Sequence, residues 1–281
     1  MQELDRLGWA AEVSFELFGV SIGIRANEPS LLHTISPYLP AALKPSSVPI
    51  VQKLYSIIAG GFRAEARIRR LHLLYGNVER LARTTEFAEL LDILRSDVNL
   101  YIAENVPQRV FVHAGAVGWN GRAIVIPGAS FSGKTTLVQE FLRAGATYYS
   151  DEFAVLDRQG RVHAYGGALS VRNAHSGKQE IRRTEEFGGT MGKNPLPVGC
   201  VTATHYRPGA EWNPKAISKG LGVMALLGNT VAARKNPSRA LAALTRAVAD
   251  ARILKGSRGE ARETVDSILE DLNKQPPSRR N

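Results

Sequence analysis

The chain has 281 residues, 44% of them hydrophobic and 22% charged, and 36 Lys/Arg against 26 Asp/Glu leave a formal net charge of +10. These proportions fit one large globular domain or two of ordinary size and exclude disordered and fibrous chains. A single cysteine, Cys200, excludes an internal disulfide and any thiolate zinc cluster.

The opening MQELDRLGWAAEV carries acidic residues and no apolar h-region, so it does not read as a signal peptide. The longest apolar run, 221–233, is broken by Gly228 and Asn229 and is too short to span a bilayer. Together with the cysteine usage, this predicts a cytoplasmic protein without a membrane partner. Residues 158–220 hold ten Lys/Arg and four Asp/Glu, more than half of the excess charge, which suits an anionic partner. Basic residues neither line one helix face nor alternate with aromatics, so nucleic acid is not the expected partner. The tail NKQPPSRRN reads as a frayed terminus.

Residues 13–26 alternate around Gly19 and predict two short strands. Asn27 and Pro29 start a helix with Leu31, Leu32 and Ile35 on one face, ended by Pro37. A loop is expected over 42–47, then strands over 48–58 and 64–74 joined at Gly60-Gly61. Thr85 is the expected N-cap of a long helix, in which Phe87, Leu90, Leu91, Leu94, Val98, Tyr101 and Ile102 recur at helical spacing. Strands follow at 109–117 and 122–127, with Asn120-Gly121 between them predicting an antiparallel hairpin. A short helix ends at 144–146, and a further hairpin pairs 153–157 with 161–165. Strands are expected at 168–172 and 198–207, and amphipathic helices over 237–254 and 260–272. Domain boundaries are placed at 1–106 for an N-terminal α+β region and 107–281 for an α/β domain.

The chemistry concentrates in GASFSGKTT: Gly128, Ala129, Ser130, Phe131, Ser132, Gly133, Lys134, Thr135 and Thr136. The run RAIVIP before it and the amphipathic residues after it make strand, glycine-rich turn and helix, the setting of a Walker A phosphate-binding loop. Glycines let several backbone N–H groups converge at a helix N-terminus, where orphan donors and the macrodipole favour an anion. Lys134 can then reach the β- and γ-phosphates of ATP, and the Thr135 hydroxyl can ligate Mg²⁺. Asp151 and Glu152 follow one short helix later, and two carboxylates there can divide metal ligation from activation of a hydroxyl. Neighbours on a strand face opposite ways, so a bend or bulge is required for both to meet the nucleotide.

The order HAGAV, hairpin, GASFSGKTT, helix ending at Gly145, then SDEFAVLD resembles the HPr kinase/phosphorylase family of bacterial serine kinases and its related kinases. The resemblance covers 109–172 and, less closely, 197–207. It implies a phosphoenolpyruvate-carboxykinase-like mixed sheet with hairpins, with ATP held by residues 128–136. It also places Asp151 and Glu152 at the family's two acidic positions and His113 at its active-site histidine. Three departures stand out. Glu152 replaces an Asp, the glycine-rich loop tied to phosphorylase activity is echoed only at Glu180-Ile181-Arg182, and residues 1–106 do not match the regulatory domain. A kinase acting on a hydroxyl of a protein, peptide or small metabolite is therefore expected, with neither phosphorylase activity nor HPr as substrate. A nucleotide-binding scaffold and a plain NTPase remain the alternatives, and homo-oligomerisation is left open. Without the family pattern His113 would read as a packed core histidine. Arg172, Lys178, Arg182 and Arg183 are candidate anion contacts, and Cys200 is expected to be structural.

Overall fold

A computed structural model describes residue 5 and residues 8–60, 71–129, 132–172 and 179–274. Its architecture is mixed α/β, in two units, Met1–Pro107 and Gln108–Asn281.

In the first unit, β1 (Ala11–Leu17) and β2 (Val20–Ala26) form a hairpin whose turn residues Phe18 and Gly19 have φ of 50° and 84°. Helix α1 (Ser30–Ile35) buries Leu31 and Ile35. The stretch 42–47, expected as loop, contains β3 (Lys44–Ser46), where Pro45 is tolerated because the strand lies at the sheet edge. Strand β4 (Lys53–Ile58) starts later than expected and runs parallel to β2. The expected Gly60-Gly61 turn and strand 64–74 fall largely outside the described residues, and β5 (His72–Gly76) is what is seen there. Strand β6 (Glu79–Thr84) has no apolar alternation to announce it; Glu79, Arg80 and Arg83 are exposed, as suits an edge that must not recruit another chain. The six strands order β3-β1-β2-β4-β5-β6.

Helix α2 (Phe87–Asn105) packs Leu90, Leu91, Leu94, Val98 and Ile102 inward at the expected spacing. Its cap differs from expectation. The N-cap is Glu86, without a side-chain cap, and just before it Thr84 accepts the Glu86 N–H at 3.0 Å and donates to Glu89 Oε2 at 2.5 Å.

The second unit begins with β7 (Val110–Trp119) and β8 (Arg122–Pro127), antiparallel as the Asn-Gly pair predicts. Asn120 and Gly121 sit at φ 48° and 74°, the left-handed pair of a type I′ turn. Next come α3 (Lys134–Arg143), β9 (Thr147–Ser150), β10 (Phe153–Leu156), β11 (Arg161–His163), and the separate hairpin of β12 (Leu169–Arg172) with β13 (Gln179–Arg182). Strands β14 (Leu196–Tyr206) and β15 (Lys215–Ala216) precede α4 (Lys219–Leu227) and α5 (Pro237–Val248). Strand β16 (Arg252–Arg258) and α6 (Ala261–Asn273) complete it.

Helix α5 ends at Val248, short of the expected 254, and residues 252–258 are a sheet strand instead. Ile253 and Leu254 are both buried but join different cores, as adjacent strand residues must. A short apolar run covered on both faces does not reveal its period, which is why it read as helix.

Strands β8, β14 and β16 run parallel at the centre, and the sheet order is β11-β10-β7-β8-β14-β16-β15 with β9 beside β7. Strand β11 also pairs with β14, so the path closes on itself. Ala123 and Val125 face α4 and α5 while Ile124 and Ile126 face α3 and α6. At about 2 kcal/mol per fully buried Val or Ile side chain, a one-residue slip of β8 would be costly on both faces. Parallel β8, β14 and β16 bring their C-terminal ends to one edge, beside the loop that follows β8. Among the described residues no helix is long and apolar enough to cross a membrane.

Candidate functional site

The loop after β8 is built around two glycines. A Cβ on Gly128 would lie 2.5 Å from Ser132 Oγ, so a larger residue there would push that side chain aside. Gly133 caps α3 at φ 82°, a left-handed conformation that turns the chain into the helix. Gly128 N–H donates to the His113 carbonyl at 3.3 Å, and Ser132 N–H to the Ala129 carbonyl at 3.2 Å. Ser130 and Phe131 lie outside the described residues. Thr136 is exposed on the helix.

Lys134 is 7% exposed, with Nζ donating to the Ala129 carbonyl at 2.8 Å. Burial pulls its pKa down, while Glu152 and then Asp151 push it back up, so both acids act on this ammonium. The required bend is present. Ser150 Oγ accepts the N–H groups of Glu152 at 3.1 Å and Phe153 at 2.9 Å, breaking strand alternation between β9 and β10. A register shift between β7 and β9 at Ala116/Val117 accompanies it.

The two carboxylates then receive different surroundings. Asp151, 8% exposed, accepts from Thr135 Oγ1 at 3.2 Å, Tyr148 Oη at 2.8 Å and Ser170 N–H at 3.3 Å. Burial, followed by the Asp151 charge, raises the Tyr148 phenol well above its ordinary pKa, so it stays a donor. Glu152, its side chain 38% exposed, places Oε1 3.4 Å from His113 Nε2. His113 in turn lies on β7 opposite Phe153, its ring centroid 5.9 Å from that phenylalanine. Lys134, Thr135, Asp151, Glu152 and His113 are thus one neighbourhood, assembled at the C-terminal end of β8.

Arg172, Arg182 and Arg183 lie on or just after the β12–β13 hairpin, whose Ser170 N–H meets Asp151. Arg182 pairs with Glu186 at 2.6 Å and Glu180 at 3.7 Å, and Arg183 with Glu185 at 3.8 Å, all at the surface. Arg172 is exposed and Lys178 lies outside the described residues. Cys200 is buried, with its thiol pushed up to about 11 by burial, the state of an inert core cysteine.

Sequence reading missed Arg258. It ends β16, is 3% exposed, and Nη2 donates to the Gly133 carbonyl at 3.2 Å. Nothing local announces it: Lys255-Gly256-Ser257 precede it without an apolar period, and it lies beyond the expected helix over 237–254. A cleft of about 710 Å³ at the opposite end of the parallel strands, lined by Trp119, Arg122, Lys219 and Arg252, is not this site.

The arrangement can hold an anion at the loop, offer oxygen donors to a hard cation, and take a proton at Glu152. Thr135 Oγ1 and Asp151 Oδ2 suit Mg²⁺, which is bound by few protein oxygens and keeps water and phosphate as its other ligands. Among the described residues no group of three or more His, Cys, Asp or Glu side chains converges to hold a metal by itself. No protein-family model matches the chain, and no curated protein matches it.

Proposed function

We propose that the second unit is a Mg·ATP-dependent phosphotransferase acting on a hydroxyl, that of a serine in a protein or peptide or of a small metabolite. The observation that carries this reading is the Thr135–Asp151 contact at 3.2 Å beside the Glu152–His113 contact at 3.4 Å, next to a buried lysine at the start of α3. A site for phosphate, a place for a hard cation and a base are then adjacent, which is what phosphoryl transfer needs. The antiparallel β7–β8 pair, uncommon before such a loop, supports an HPr-kinase-like version of the fold over an ordinary parallel P-loop sheet.

Lys134 and the N–H groups at the start of α3 bind the β- and γ-phosphates. Thr135 and Asp151 would hold Mg²⁺, which when bound neutralises charge on the phosphate oxygens. Asp151 accepts from two hydroxyls and a backbone N–H, so it is suited to ligation and poorly placed to take up a proton. Glu152 is the more exposed of the two and acts as the base, oriented by His113. The acceptor oxygen bonds to the γ-phosphorus, the bond to the β–γ bridging oxygen breaks, and the hydroxyl proton passes to Glu152.

The test incubates the protein with γ-labelled ATP and Mg²⁺, alone and with cell extract, beside Lys134→Ala and Asp151→Asn. Label on an acceptor, lost in both variants, is expected. Binding without transfer or hydrolysis would leave a nucleotide-binding module, and release of phosphate without an acceptor would make it an NTPase.

A further inference from the structure

Arg258 is a buried cation that no carboxylate contacts among the described residues, although the Glu260 charge acts on it from a distance. The residue is 3% exposed, Nη1 donates to the neighbouring Gly259 carbonyl at 3.0 Å, and Nη2 to the Gly133 carbonyl at 3.2 Å. Among the described residues, Nε is buried with no hydrogen-bond partner. The Tyr206 ring lies beneath the guanidinium at 5.2 Å, and among the described residues Arg258 forms no ion pair. Taking a guanidinium out of water without an opposite charge is expensive. Such a group is retained where an anion comes to it.

Its hydrogen bond falls on one particular peptide. The Gly133 carbonyl and the Lys134 N–H belong to the same planar unit and point in opposite directions. That N–H is among the first of α3, one of the helix's orphan donors. The Gly133 carbonyl also accepts from Leu137 N–H at 3.2 Å, so both of its lone pairs are engaged. Arg258 therefore sets the plane of the peptide and polarises it, making the Lys134 N–H a better donor to an anion. A Cβ on Gly133 would come within 2.2 Å of Nη2, so this seat for the guanidinium depends on glycine at 133.

We propose that Arg258 is a positioning residue of the nucleotide site, a fixed cation behind the glycine loop whose counter-charge is the bound polyphosphate. This rests on the nucleotide reading above. It predicts that the arginine serves the charged end of the ligand and not the base or ribose.

Binding of Mg·ATP, inorganic tripolyphosphate and AMP is measured on wild type, Arg258→Lys and Arg258→Met, together with the melting temperature of each ligand-free protein. Arg258→Met weakens Mg·ATP and tripolyphosphate by roughly ten- to a hundredfold and AMP by less than about threefold, with Arg258→Lys between it and wild type. Equal losses for all three ligands, or losses that follow the melting temperature alone, would show a purely structural role and overturn the proposal. So would unchanged binding of tripolyphosphate to Arg258→Met. Should Arg258→Met not fold, Arg258→Lys carries the same comparison, and it must weaken tripolyphosphate more than AMP. Wild type that binds neither ATP nor tripolyphosphate overturns the nucleotide reading itself; wild type that binds both, with unaffected variants, overturns only the role of Arg258.

Discussion

Strand β10 is flanked by a buried aspartate at each end, Asp151 before Phe153 and Asp157 after Leu156, and the two are treated in opposite ways. Asp157 accepts the N–H groups of Gln159 and Arg161, both at 2.9 Å, and its other oxygen meets Arg161 Nε at 3.0 Å and His163 Nε2 at 2.9 Å. Burial raises its pKa, but the bonds from His163 and Arg161 outweigh that and leave it lowered. Asp151 has two hydroxyls and one backbone N–H, with a lysine nearby. A carboxylate saturated by N–H donors and a cation holds a turn. One held by hydroxyls keeps its charge directed at whatever sits in the loop beyond Thr135. Burial is common to the two; the partners just named are what differ between them.

The largest test of this contrast is the same substitution at both ends. Asp151→Asn is expected to lower turnover by about a thousandfold or more while nucleotide affinity stays within about tenfold, since the function proposed above gives it a role with the metal and the transition state. Equal loss of binding would make it structural. Asp157→Asn should leave turnover within about threefold but cost about 2 kcal/mol of stability, measured by urea unfolding, as its donors lose a charged acceptor. Turnover lost on Asp157→Asn would collapse the distinction.

Glu152→Gln should lower kcat by about a hundredfold with KM little changed, as loss of a base does. A fall in affinity of the same size would instead give Glu152 a binding role. Tyr148→Phe removes one neutral donor to Asp151 and should cost about tenfold in kcat. If kcat is unchanged, the hydroxyl serves packing only.

The smallest effect is on stability against pH. The folded state holds His163 below its ordinary 6.5, by burial against the bond to Asp157 that raises it, and Asp157 below its ordinary 3.8. Both groups therefore bind fewer protons folded than unfolded, so stability is full above about 6.5 and falls as pH drops, first through the histidine's window and then again below 3.8. His163→Gln should remove the first decline and Asp157→Asn the second, as read from urea midpoints. Rising stability on acidification would refute the assignment.

Local signals were legible in the sequence because local physics produces them. Asn120-Gly121 can supply two left-handed residues, the α2 stripe can face only one way, and Gly128 and Gly133 mark close approach and positive φ. Strand β6 was missed because an edge strand with a charged face carries no apolar period, and β16 because its apolar pair, Ile253 and Leu254, is too short to show one. The need for a bend at Asp151-Glu152 followed from strand alternation, but its means, the Ser150 hydroxyl, is a contact two and three residues away that composition does not announce.

The sequence by itself determined the loop, the hairpin before it and the acidic pair after it, since glycine conformation, turn chemistry and side-chain reach act over a few residues. Only the tertiary structure decided which carboxylate meets Thr135 and which meets His113. It alone brought Arg258 to Gly133 across 125 positions of chain. The carboxylate contacts depend on antiparallel pairing of β7 with β9 and β10, the Arg258 contact on parallel pairing of β8, β14 and β16, and such non-local register is set by the packing of two cores together.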